Sequence, residues 1–147
     1  MRNYIKTTAG FLLSATMASV SFGATVNVGE LQGFTGPLES MIGAMSGGAN
    51  LAVTEANDSG KYLQGTIVVH QGDSVCIDAA VAIAEAERLI NDENVMAIMG
   101  PNCSGNTGAV ITNVLVPNGV VAISPSATSP ALTTLEDGGW FFRTAPS

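Results

Sequence analysis

The sequence is poor in the residues on which metal and cofactor proteins depend. It has one histidine and two cysteines, and it lacks the CxxC, HExxH and paired-cysteine spacings that are typical of zinc and iron–sulfur sites. Three glycines, Gly29, Gly33 and Gly36, do not have the GxGxxG spacing of dinucleotide-binding proteins, and the sequence has no P-loop. The composition therefore predicts a protein without a metal ion or a cofactor.

Basic residues are also scarce, and the first two belong to a predicted export signal. Arg2 and Lys6 precede an apolar run, Ala9–Val20, which is followed by small residues suited to cleavage at Ser21, Gly23 and Ala24. A short membrane anchor is the alternative, but about a dozen apolar residues fall short of the roughly 20 that span a bilayer. We therefore expect a cleaved signal peptide at residues 1–24, and no lipid attachment because the cleavage region contains no cysteine.

The 123 residues that follow are enough for one domain with one core. They carry 3 basic and 12 acidic side chains, a formal charge of −9. Such an acidic surface makes nucleic acid an improbable partner, and we expect a monomer. Because the chain is predicted to be exported, its two cysteines, Cys76 and Cys103, suggest a disulfide more than a metal site or a reactive thiol.

Short β-rich runs alternate with longer helical ones from Thr25 onward. This rhythm predicts an α/β fold with a doubly wound parallel sheet and helices on both faces. Among the orders that such sheets adopt we expect 2-1-3-4-5, in which the first and third strands flank the switch point. Helices are predicted from near Leu38, from about Ala79 and from Ser104 to about Val116. The predicted strands are Val26–Leu31, Gly65–His70, Val95–Met99, Val120–Ile123 and Phe141–Thr144.

The first predicted helix contains three glycines, Gly43, Gly47 and Gly48. Each weakens the helix by about 1 kcal/mol relative to alanine. We expect them to permit close packing.

Polar loops follow the first, third and fourth predicted strands, at Gly33–Pro37, Asn102–Thr107 and Ser124–Ser129. Ligands of doubly wound sheets bind outside the carboxyl ends of the strands, so these loops are expected to meet there. Ser104 is predicted to cap its helix, with its hydroxyl and the free N–H groups pointing outward. Such a helix start favours an anion, and a carboxylate would suit it.

Both cysteines follow strands that end at this same edge. A bridge between Cys76 and Cys103 requires Cα atoms within about 7 Å. Since the first strand separates the second from the third, one loop has to arch over its end. A bridge here would brace the loop that carries Ser104.

Three segments in this order resemble the periplasmic type I solute-binding proteins of ABC importers, most closely the leucine/isoleucine/valine binders. They are Thr35–Pro37, Cys76 together with Gly100–Ser104, and Ile123–Thr133. The resemblance implies non-catalytic capture of a branched-chain or related amino acid in the periplasm, delivery to an inner-membrane permease, and a Cys76–Cys103 disulfide.

The resemblance also implies roles for four residues. Ser104 would bind the ligand carboxylate, and Thr128 would contact both the carboxylate and the α-ammonium. A backbone group of Ser126 would help to hold the ammonium. Met41 would cover the aliphatic tail, at a position where the family often has an aromatic ring.

The chain is shorter than the family, whose two lobes close on the ligand. Residues 25–147 would form an incomplete first lobe, truncated near the first hinge crossing at Arg143–Ser147. The acidic residue that the second lobe contributes to the ammonium would then be missing.

Two alternatives remain open at the level of sequence. One is an exported enzyme with Cys103 or Ser104 as nucleophile, for which His70 is the one available histidine; the number of free thiols would test it. The other is an extracytoplasmic sensory domain for an amide, urea or another small polar ligand, which the neighbouring genes would distinguish from an importer component.

Overall fold

The computed structural model describes residues 23–61 and 65–147, and a five-stranded parallel sheet lies at its centre. The strand order is β2-β1-β3-β4-β5, which confirms the predicted order 2-1-3-4-5. The predicted signal peptide lies outside the described residues, apart from its last two. The strands are β1 Thr25–Gln32, β2 Thr66–Asp73, β3 Ala97–Met99, β4 Val121–Ser124 and β5 Phe141–Arg143.

The strand register brings the carboxyl ends of the central strands level with one another. Met99 of β3 pairs with Glu30 of β1 on one side and with Ile123 of β4 on the other. Because parallel strands end at the same edge, the chain segments that leave β1, β3 and β4 emerge side by side. This edge carries the predicted ligand site.

Two long helices connect the first three strands, α1 Glu39–Ser59 and α2 Ala79–Asn91. Asp78 caps α2, because its carboxylate accepts the N–H groups of Ala80 at 2.8 Å and Val81 at 3.4 Å. Within the two described ranges, no helix is both long and apolar enough to cross a bilayer.

The third connection changes its winding along its length. It begins as α3, Ser104–Val110, widens to a π-helical turn at Ile111–Leu115 and ends as α4, Val116–Asn118. Pro117 has no N–H, and its ring would clash with the carbonyl four residues back in a regular α-helix. That carbonyl belongs to Asn113, inside the widened turn.

The two faces of the sheet are packed to different degrees. One face is covered by α2 and by the helix that starts at Ser104, which contact each other. Their apolar side chains form the core with β1, β3 and β4: Leu31, Ala82, Ala86, Leu89, Ile98, Val110, Ile111, Val114, Leu115 and Ala122. On the other face, α1 packs mainly against β2, and Ile42 is its only buried residue.

The prediction that the glycines of α1 permit close packing is wrong. A Cβ atom added to Gly43, Gly47 or Gly48 would meet nothing within 4 Å. Instead, an apolar cleft of about 320 Å³ lies between α1 and the sheet, lined among others by Ala52, Val53 and Ile123. The helix is therefore loosely held.

Candidate functional site

Asn102 joins the loops that follow β1, β3 and β4. Its Oδ1 accepts the N–H of Gly33 at 3.0 Å, and its backbone carbonyl accepts the hydroxyl of Ser126 at 2.9 Å. Ser124 adds a bond from its hydroxyl to the carbonyl of Pro101. Asn102 is 4% exposed, so water does not compete for these bonds. The three predicted loops therefore meet as one cross-linked unit.

A disulfide between Cys76 and Cys103 ties the loop after β2 to the start of α3. The two Cα atoms are 5.5 Å apart, within the range that a bridge requires. The loop crosses the end of β1 with Val75 and Cys76 in the left-handed region, at φ values of 47° and 66°. The side chain of Asn106 in α3 also donates to the carbonyl of Ser74 at 2.7 Å.

Asp73 connects the end of β2 to the loop after β1. Its carboxylate accepts the Thr35 hydroxyl at 2.6 Å, the Thr35 N–H at 3.3 Å and the Val75 N–H at 2.9 Å. Partial burial acts to raise the pKa of the Asp73 carboxyl. The hydrogen bonds from Thr35 and from the backbone favour the ionised form, outweigh burial, and hold this pKa below its ordinary value.

Ser104 does not cap α3, contrary to the prediction. The N-cap is Cys103, whose backbone is extended at φ −101° and ψ 124°, so Ser104 is the first helical residue. Its Oγ accepts the backbone N–H groups of Thr128 and Ser129, both at 3.1 Å. A hydroxyl oxygen has two lone pairs and one proton. Both lone pairs are therefore occupied, and the proton is the remaining hydrogen-bonding capacity of this side chain.

The other predicted contact residues lie at different distances from this centre. Thr128 adjoins Ser104 through its N–H, and its side chain is exposed. Ser126 is half-buried, and its hydroxyl is used to hold Asn102. Met41 stands near the start of α1 with 57% of its surface exposed. The structure thus groups Ser104, Ser126 and Thr128 and leaves Met41 on an open helix surface.

Arg143 is a residue of this candidate site that the sequence alone places only at the approach to a hinge. Its Nη1 donates to the carbonyls of Ala127 at 3.2 Å and Ser129 at 2.9 Å, and its Nη2 donates to the hydroxyl of Thr133 at 2.6 Å. The available signal was a rare basic residue in an acidic chain, placed on the strand beside β4.

The groups invoked for an enzyme are engaged in other bonds. Cys103 is in the disulfide and has no thiol, and the Ser104 oxygen already accepts two N–H groups. His70 lies on β2, where its ring nitrogens contact Glu93 at 3.0 Å and Asn27 at 3.1 Å. Among the described residues no cluster of three metal-ligating side chains is found.

Comparison with known proteins assigns the matched part of the chain to one group. The family model for periplasmic binding proteins matches residues 25–147. The Leu/Ile/Val-binding protein BraC3 of Rhizobium johnstonii is 30% identical over 126 residues, which cover 82% of this chain and 34% of that protein.

Two solved structures share the fold described above. The branched-chain amino acid transporter substrate-binding protein LivJ of Streptococcus pneumoniae, in complex with isoleucine, is 33% identical with a TM-score of 0.74 over 84% of this chain and 34% of that one. An ABC transporter solute-binding protein of R. palustris, in complex with 4-hydroxybenzoate, is 25% identical with a TM-score of 0.71 over 84% of this chain and 32% of that one. The chain thus spans about a third of the length of these relatives.

Proposed function

The chain belongs to the periplasmic binding protein family, and we propose that it captures a branched-chain or closely related amino acid for an ABC importer, without altering it. The ligands of its relatives support this class, since BraC3 is named for leucine, isoleucine and valine and LivJ holds isoleucine. The geometry of the site adds a physical reason why the ligand should carry a carboxylate.

The hydrogen-bonding state of Ser104 carries the proposal. Because Thr128 and Ser129 occupy both lone pairs of Oγ, the hydroxyl can act towards a ligand only as a donor. A carboxylate is an acceptor without protons, and hydrogen bonds to an ionised group are about twice as strong as neutral ones. Ser104 is therefore matched to a carboxylate and mismatched to an ammonium group.

In this proposal the other three predicted residues contact the rest of the ligand. Thr128, with its side chain exposed beside Ser104, binds carboxylate and ammonium, and a backbone group of Ser126 binds the ammonium. Met41 covers the aliphatic tail. Its exposure of 57% leaves that side of the ligand open, so affinity for a free amino acid should be modest in this chain.

The ligand of the second structural relative also supports a carboxylate as the group that binds at Ser104. Isoleucine and 4-hydroxybenzoate differ in size, ring character and ammonium group, but both are carboxylates. A donor-only hydroxyl at the sheet edge would serve either. We therefore propose that Ser104 and Thr128 bind the carboxylate of the ligand. The rest of the ligand molecule then determines which acid is preferred.

Export and delivery are part of the proposal. Residues 1–24 would direct the chain to the periplasm as a cleaved signal peptide, and the ligand would pass to an inner-membrane permease. The Cys76–Cys103 disulfide supports this location, because such bonds persist in oxidising compartments and are rare in the cytosol.

A thermal-unfolding panel on the full, oxidised chain tests the ligand class. The panel contains leucine, isoleucine, valine and 4-hydroxybenzoate as carboxylates, with leucinol, acetamide and urea as ligands that lack one. A bound ligand stabilises by about 2.7 kcal/mol at a hundredfold excess over Kd. The midpoint should rise with at least one of the carboxylates and should not rise with leucinol, acetamide or urea.

Two variants sharpen the test. Ser104→Ala should abolish the ligand-induced rise, while Ser46→Ala, at a half-buried serine of α1 that accepts a bond only from Asn50, should leave it unchanged. A rise with acetamide or urea alone would instead favour a sensor of neutral ligands. An unchanged rise in Ser104→Ala would contradict the assignment of the carboxylate.

A further inference from the structure

Arg143 reaches the centre of the site through a peptide bond. Its Nη1 donates to the carbonyl of Ala127 at 3.2 Å, and the N–H of the same peptide group, which belongs to Thr128, donates to Ser104 Oγ at 3.1 Å. The fixed cation, the peptide and the serine hydroxyl therefore form one continuous chain of hydrogen bonds, and every bond in it runs in the same direction.

The arrangement is closed by a second contact on the same loop. Nη1 also donates to the carbonyl of Ser129 at 2.9 Å, and Ser129 donates its own N–H to Ser104 Oγ at 3.1 Å. The loop residues on either side of Thr128 are thus held by a guanidinium that is half-buried. Ala127 is fully buried, so water does not compete at that carbonyl.

The charge of Arg143 is directed at this loop. None of the ion pairs among the described residues involves it, and a guanidinium stays protonated under all ordinary conditions. Hydrogen bonds in a chain polarise one another, by about 10–30% per bond. A cation that withdraws electron density from the Ala127 carbonyl makes the Thr128 N–H a stronger donor, which in turn makes the Ser104 proton more acidic as a donor to an anion.

We propose that Arg143 is a positioning residue for the ligand carboxylate, acting through the Ala127–Thr128 peptide and the hydroxyl of Ser104. The inference rests on the proposed function, because it assigns a support to the carboxylate contact made there. It makes a strand residue outside the pocket a determinant of affinity, and it does so without direct contact between Arg143 and the ligand.

Three variants of the full chain separate this role from a general effect of charge or folding. Arg143→Gln removes the cation. Arg143→Lys can retain both carbonyl bonds, because a single nitrogen, Nη1, makes them in the wild type. Arg88→Gln removes the same charge from a guanidinium that pairs with Glu85 and Glu93 on α2 and the segment that follows it.

Isothermal titration with isoleucine is the first measurement. We expect Arg143→Gln to weaken binding about threefold, because polarisation changes the Ser104–carboxylate bond by only a fraction of its strength. Arg143→Lys should recover most of the loss, and Arg88→Gln should bind like the wild type. Wild-type affinity in Arg143→Gln would overturn the positioning role. Equal losses in Arg143→Gln and Arg88→Gln would overturn it as well, because they would indicate a long-range charge effect.

Amide hydrogen exchange without ligand is the second measurement, and it does not depend on the identity of the ligand. The Thr128 N–H should exchange faster in Arg143→Gln and regain protection in Arg143→Lys, while the Ile98 N–H in β3 stays constant. An unchanged exchange rate of the Thr128 N–H would overturn the proposed action of Arg143 through the Ala127–Thr128 peptide. If Arg143→Gln does not fold, the wild-type protein still provides a test. The Nη1 protons of Arg143 should be protected from exchange by their bonds to the carbonyls of Ala127 and Ser129. A freely rotating guanidinium would overturn the proposal.

The two proposals fail in different ways. No titratable binding of any carboxylate by the folded wild type would refute the proposed function, and this inference with it. Binding by the wild type that is indifferent to residue 143 would refute the inference alone.

Discussion

Thr35 and Asp73 link the loop after β1 to the end of β2 through two bonds to one carboxylate. The hydroxyl of Thr35 donates at 2.6 Å and its N–H at 3.3 Å. Since these bonds lower the pKa of Asp73 in the folded protein, the stability they contribute is present above the unfolded pKa of about 3.9. It is lost as the pH falls through the lower, folded value.

Replacing the Asp73 carboxylate should therefore reduce stability by an amount that depends on pH. Asp73→Asn should lower the free energy of unfolding by about 1 kcal/mol at pH 7, a value reduced for solvent exposure. The difference from the wild type should shrink below about pH 4, where the wild-type carboxylate also becomes protonated. Urea unfolding from pH 7 down to about pH 2.5 measures it. Thr35→Val should give a smaller version of the same profile, and a difference that stays constant with pH would contradict the assignment.

Loss of the Ser104 hydroxyl should cost stability even without ligand. Ser104→Ala leaves the N–H groups of Thr128 and Ser129 without their acceptor. The Thr128 donor is exposed and the Ser129 donor is part-buried, so the expected cost is about 1 kcal/mol, measured by chemical unfolding. The control is Ser46→Ala, which removes one exposed bond from Asn50 and should change stability by less than about 0.5 kcal/mol. Equal effects of the two variants would show that the Ser104 bonds do not form.

The disulfide should be both complete and strongly stabilising. Native protein should show no reactive thiol, and reduction should expose two. Replacing Cys76 and Cys103 by serine should cost about 3.5 kcal/mol in the chain-entropy model for a separation of 27 residues. Thiol titration before and after unfolding, followed by urea unfolding of the double variant, measures both. Two thiols that react in the native, unreduced protein would contradict the bridge and return Cys103 to consideration as a nucleophile.

Replacing a glycine of α1 by alanine should increase the stability of the protein. Gly47→Ala adds a methyl group to a helix interior where nothing lies within 4 Å, so the unfolding free energy should rise by about 0.5–1 kcal/mol. Gly100→Ala is the matched contrast. Gly100 has φ +121°, and an added Cβ would overlap the carbonyl oxygen of Leu31, so a loss of about 2 kcal/mol or more is expected. A loss in Gly47→Ala would mean that α1 is packed more tightly than the structure shows.

Patterns local to the chain were sufficient to predict the framework. Alternating apolar runs gave the five strands to within three residues at each end, as β2 shows by extending to Asp73 rather than His70. The right-handed connections of parallel strands restrict the possible orders without selecting one, and the observed order is the expected 2-1-3-4-5. Cys76 and Cys103 could be paired because both follow strands that end at one edge.

Contacts between distant segments account for what the sequence did not predict. The cap of α3 falls on Cys103 rather than Ser104 because the bridged cysteine keeps an extended backbone, a difference of one residue that no propensity resolves. The new partners of Ser104 lie 24 and 25 residues away, and those of Arg143 lie 10 to 16 residues away. Periodicity carries no information on such pairs.

The unequal packing of the two sheet faces divides the proposed site into a stiff half and a compliant half. Ser104 starts α3 and Thr128 lies in the loop after β4, and the disulfide, Asn102 and Arg143 hold these segments. Met41 belongs to a helix of 21 residues with a single buried side chain. Helices held by so few contacts open locally at low free-energy cost. A protein built this way would be strict about the head group of its ligand and tolerant of many tails.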